Sequence, residues 1–98
     1  NQMSNQNNQQ EEEKIQTILS IILKYLSNHS LRQISTLLPM VAEILSTLIK
    51  SEIVGVRRLS IMILVEFKCK VPNEFMPYYR KLSISHQKLI NLYSNKRG

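Results

Sequence analysis

The sequence has little of what most catalytic sites are built from. Among its 98 residues there is no tryptophan, and there are only two glycines, two histidines and one cysteine. Two glycines are too few for a Gly-rich loop that cradles phosphate through its backbone amides. Cys69 has no second cysteine to pair with, so no internal disulfide forms and a reducing compartment is expected. His29 and His86 have no cysteine or carboxylate at ligand spacing, so no zinc ligand set is present. Cys69 lies between Lys68 and Lys70, with no base supplied by its neighbours, and reads as an ordinary helix-end cysteine. The seven carboxylates are scattered, apart from the run Glu11-Glu12-Glu13, and no acid–base pair stands out. The expectation is a non-enzyme with no cofactor and no metal. The longest strictly apolar run, Ile61 to Val65, is far short of the roughly 20 residues a membrane span needs, and no signal-peptide pattern is present.

What is there is basic charge and helical periodicity. Residues 1–67 carry six basic and six acidic groups, whereas residues 68–98 carry seven basic groups and one acid, Glu74. The net charge of +6 therefore sits in the last third, where it favours acidic partners. At the other end, eight of the first ten residues are Asn or Gln. Such a tract buries too little apolar surface to offset its ordering entropy, so residues 1–10 are expected to be a disordered lead-in and residues 11–98 a single helical domain. The chain begins with Asn and reads as a piece of a longer protein.

Apolar residues recur at helical spacing almost throughout. Glu11 to Glu13 suit a first turn, where they complement the helix dipole, and Ile15, Ile18, Leu19, Ile22 and Leu26 form the stripe behind them. This helix should stop near Ser27-Asn28-His29. Ser30 and Gln33 have the spacing of a capping box for the next one. Pro39 predicts a kink or a fresh helix start. Ser51-Glu52 makes a turn. The stretch from Ile53 to Lys70 is apolar on most sides, which predicts a central helix. Pro72 ends it, Asn73 is placed to cap a short helix from Glu74 to Leu82, and Ser83 to cap the last. The predicted fold is all-α, a short HEAT-like α-solenoid or helical bundle of about five to six helices.

Two sets of residues are candidates for binding. Arg57 and Arg58, near the start of the central helix, suit an acidic partner; in the plainer reading one pairs with Glu52 or Glu66 and the other is solvated. Tyr78 and Tyr79 adjoin Arg80 and Lys81, a basic-aromatic cluster. Neighbouring helix residues point about 100° apart, so the two rings cannot share one stacking face for bases. Packing, or anchoring of a protein interface, is the expected role, with one ring in the core and the other near an interface. A basic α-helical nucleic-acid-binding domain is the alternative reading of the charge, with no helix-turn-helix spacing or RNA motif to favour it.

From about Ser30 to Arg97 the order of features resembles the C-terminal helical domain of the CLASP family, the CLIP-associating (Orbit/MAST) microtubule regulators. The residues that carry the resemblance are Leu37-Leu38-Pro39, Val56-Arg57, Leu64-Val65, Glu74-Phe75-Met76-Pro77, Leu82-Ser83 and Lys88-Leu89-Ile90-Asn91-Leu92-Tyr93, with Lys96-Arg97 after it. The last block is the most specific, and the others are ordinary HEAT grammar. Where the family's turn before the Glu-Leu-x-Pro segment usually contains Gly, this chain has Pro72-Asn73. The Asn/Gln tract suits a fungal member. The resemblance implies a HEAT/TOG-like array acting as an interaction and dimerisation module. It implies recruitment to spindle, kinetochore or plus-end proteins, with microtubules bound through the rest of the longer protein. It also implies a location in the cytoplasm and cytoskeleton, at the mitotic spindle (nuclear in a closed mitosis). With no earlier repeat to cover them, Ile15, Ile18, Leu19, Ile22 and Leu26 are the expected contact face of a homodimer.

Overall fold

A computed structural model describes the backbone of residues 2–97 and the side chains of residues 9–96. Five helices follow in order: α1 (Gln2–Asn28), α2 (Leu31–Leu48), α3 (Val54–Lys70), α4 (Pro72–Lys81) and α5 (Ile84–Arg97). No strand occurs among the described residues. The all-α fold is as expected, at the lower of the two helix counts. None of these helices is long and apolar enough to cross a membrane.

Local signals explain most of the boundaries. α1 stops at Asn28, within the predicted Ser-Asn-His stretch. The capping box at α2 forms in both directions: the Ser30 hydroxyl accepts from the Gln33 amide, and the Gln33 side chain accepts from the Ser30 amide at 3.0 Å. Ser83 caps α5, its hydroxyl accepting from the His86 amide at 3.2 Å.

Three local expectations are corrected. α2 runs through Pro39 without restarting, which is why there are five helices and not six. Pro39 is exposed and the residue four before it, Ser35, is only half-buried, so the carbonyl that loses its amide partner can be solvated. Asn73 is not a cap: the cap is Val71 and Pro72 takes the first helical position, where its fixed φ suits the helix and its missing amide is not needed. α1 starts at Gln2, well before Glu11, so the helix begins earlier than expected. Gln is a good helix former, and a helix already nucleated extends by one hydrogen bond per residue. Glu11 to Glu13 then lie beyond the first turn, out of the dipole's short reach. Among the described side chains of α1 the first packed on the core is Ile15; Asn1 and the side chains up to Asn8 lie outside the described residues.

Packing centres on α3. It packs against α1, α2, α4 and α5, and α2 packs against α4. Helices α1, α3 and α5 thus make one layer with α3 in the middle, and α2 and α4 a second. On α3, Val56, Ser60, Ile63 and Phe67 are buried at i, i+4, i+7 and i+11, a single stripe. Leu26, Ile34, Leu38, Leu45, Phe75 and Ile90 close over it from the other four helices. The one polar member of the stripe is satisfied locally, the Ser60 hydroxyl donating to the Val56 carbonyl at 2.8 Å. Among the described residues no buried side-chain nitrogen or oxygen lacks a partner.

The layer is close at one point. A Cβ placed on Gly55 would lie 2.5 Å from Oε1 of Gln16 on α1, so the missing side chain lets the two helices approach. At the opposite end of α3, the Lys70 ammonium donates to the Leu26 carbonyl in the last turn of α1 and lies 3.7 Å from a Glu66 carboxylate oxygen.

Candidate partner-docking groove

A second stripe of α3 lies at the edge of the core: Ile61 and Val65 are buried in it, while Val54, Arg58 and Met62 are exposed. Val54, Arg58, Ile61 and Val65 follow at i, i+4, i+7 and i+11, with Met62 beside them. They form the floor of a groove of about 690 Å³. One wall is Leu23 of α1. The other is Leu89, Tyr93 and Lys96 of α5, again a single stripe at i, i+4 and i+7. The volume lies within the roughly 300–1,000 Å³ of typical ligand pockets. The groove lies over α3 between α1 and α5, both of which pack on it.

Its rim is basic. The Arg57 guanidinium is half-buried and donates to the Ser51 carbonyl at 3.0 Å, which fixes it over the start of α3. Arg58 is exposed and makes no ion pair or hydrogen bond with any described residue. Neither arginine pairs with Glu52 or Glu66, so the pairing expected for one of them is replaced by a bond to a backbone carbonyl. The Lys96 ammonium lies 6.0 Å from the centre of the Tyr93 ring, at the outer range of a cation–π contact. Glu66 also lines the groove but is largely buried, with Lys70 close to its carboxylate.

The other candidate residues lie elsewhere. Tyr78, Tyr79, Arg80 and Lys81 are on α4, and none lines the groove. Arg80 and Lys81 are exposed, while both tyrosines are half-buried and pack against the core. Neither ring is fully buried, so the expected fully core-facing ring is not found. The Tyr79 hydroxyl accepts from the Asn91 amide at 2.6 Å and donates to the Gln87 carbonyl at 3.4 Å, so α5 saturates it. Its ring sits tilted against Phe75, with centroids 6.1 Å apart. The two rings offer no shared face to a base.

The stripe expected to form a dimer is also placed differently. Leu19 and Leu26 are buried in the chain's own core, and Ile15 and Ile22 pack against it. Only Ile18 of the five points outward, 56% exposed, with Ile21 near it. The face of α1 is covered by α3 of the same chain.

The two histidines and the cysteine lie outside the groove. His29 stacks on Tyr25 at 3.6 Å between ring centres, and His86 shares a hydrogen bond with the Ser83 hydroxyl at 2.9 Å. Cys69 is exposed and free. No group of three His, Cys, Asp or Glu side chains among the described residues is placed to hold a metal ion.

Sequence reasoning singled out Arg57 and Arg58 but missed the surface they border. Val54, Leu23, Met62 and Lys96 become neighbours only through packing. The one local signal was the breadth of apolar residues around α3, more than a single core-facing stripe requires. Comparison of the chain with protein-family models, with curated proteins and with solved structures finds no match.

Proposed function

We propose that this chain is a non-catalytic protein-interaction module of a CLASP-type microtubule-associated protein, recruiting the longer protein to spindle, kinetochore or plus-end partners. The observation that carries the proposal is the groove over α3, apolar on its floor and basic on its rim. Around the buried floor of Ile61 and Val65, the groove leaves Val54, Met62 and Tyr93 exposed, an apolar surface that folding alone does not require. The layering of alternate helices, α1 with α3 and α5, and α2 with α4, suits a HEAT-like array. Leu19 and Leu26 are buried inside the fold, so self-association through α1 would rest on the exposed Ile18 and Ile21.

Fluorescence imaging of the tagged chain in dividing cells tests this. Wild type should concentrate at spindle poles, kinetochores, plus ends or the midzone, and Arg57→Glu/Arg58→Glu should disperse it. A wild-type chain spread evenly through the cell defeats the proposal. Binding to duplex DNA with a steep salt slope and a preferred sequence would replace it with nucleic-acid recognition through the basic last third.

A further inference from the structure

The chemistry of the groove narrows what it takes. We infer that it seats an acidic amphipathic helix from a partner protein; the inference rests on the groove being the docking site proposed above.

Shape comes first. The floor runs eleven residues along α3, from Val54 to Val65, or about 16 Å at 1.5 Å per residue. That is room for about three turns of a second helix. The floor and the α5 wall are ridges at i, i+4 and i+7, the spacing into which another helix interdigitates. An amphipathic helix presenting apolar anchors at i, i+3, i+4 and i+7 fits such a trough. Met62, 44% exposed beside the floor, adds an adaptable side chain of the kind that moulds to apolar anchors.

Charge then selects among amphipathic helices. Arg57 and Arg58 stand at the start of α3, and Lys96 stands near the end of α5. Arg57 is held in place by the Ser51 carbonyl, and Arg58 has no anion among the described residues. Glu66 sits low in the groove and faces Lys70, so the rim itself is basic. A helix whose flanks carry Glu or Asp would meet these cations; one with Lys or Arg would meet like charge, which costs several kcal/mol at an interface. The residues that set this preference are Arg58 and Lys96, because both are exposed and neither holds the fold together.

Fluorescence anisotropy with three labelled synthetic peptides tests the inference. Each is about fourteen residues long with Leu at i, i+3, i+4 and i+7. One has Glu on its flanks, one has Lys, and one has the Glu composition with the Leu spacing scrambled. The Glu peptide should bind the folded chain, weaken with added salt, and lose affinity about tenfold in Arg58→Glu and again in Lys96→Glu. Met62→Asp should abolish binding, while circular dichroism shows an unchanged helical fold in all three variants.

The possible failures are distinct. If the Lys peptide binds as well as the Glu peptide, and both are lost in Met62→Asp, the groove docks helices but the acidic preference is wrong. If the Glu peptide binds and Met62→Asp does not weaken it, the docking site lies elsewhere and the proposed function loses its carrying observation too. If sedimentation equilibrium shows a dimer that Met62→Asp dissociates, the occupant is a second copy of the chain, and the acidic helix is overturned.

Discussion

The side-chain amide of Asn91 donates to the hydroxyl of Tyr79 across 2.6 Å, tying α5 to α4 through a pair twelve residues apart. The same hydroxyl donates to the Gln87 carbonyl, so it bridges two points on α5 one turn apart. Tyr79→Phe keeps the ring against Phe75 and removes only the bridge. The expected loss is about 0.5–1.5 kcal/mol, the net worth of a typical hydrogen bond. Urea unfolding of Tyr79→Phe, Asn91→Ala and the double variant would show it: the two losses should not add, because the pair shares one interaction. Full additivity would mean that the bond contributes nothing.

Leu26 and Ile18 belong to the same predicted stripe but have opposite fates. Leu26→Ala should cost about 2–5 kcal/mol, the range for emptying a packed core site. Ile18→Ala should stay within about 0.5 kcal/mol, as for other surface changes. Thermal unfolding of the two variants compares them directly. Equal losses would contradict the packing of α1 on α3.

Gly55→Ala should be nearly neutral, within about 0.5 kcal/mol. The new methyl meets the mobile end of Gln16, and alanine's better helix propensity offsets the adjustment. Gly55→Leu has no such compensation and should destabilise by about 1–3 kcal/mol, as overpacked sites do. Adding Gln16→Ala to Gly55→Leu should recover most of the loss in the same unfolding assay. No recovery would place the clash with some other part of α1.

What was legible in the sequence was local. Ser30 with Gln33, and Ser83 as a cap, are signals a few residues long, and the structure realises both. The central place of α3 was legible too, because apolar residues on most sides of a helix require neighbours on most sides. Pro39 misled because the cost of an internal proline depends on whether the freed carbonyl can reach water, and spacing carries no record of exposure. Asn73 misled because two capping schemes competed within three residues and proline's fixed φ prevailed. The α1 stripe was found correctly, yet its partner was not: periodicity says that a face is covered, never by what. The groove was hidden for the same reason, since Leu23, Ile61 and Lys96 are far apart in the chain and meet only in the folded layer.

Helix α3 holds the core with Ile63 and Phe67, and its Ile61 and Val65 serve core and groove floor at once. Occupancy and folding therefore draw on one rigid body, and they are thermodynamically linked. A ligand that recognises only the folded groove raises the melting temperature as its concentration rises, by about 2.7 kcal/mol of stability at a hundred times its dissociation constant. The reciprocal also holds. Loosening α3 from within, at a residue no partner touches, lowers apparent affinity by the fraction of molecules in which the helix has let go.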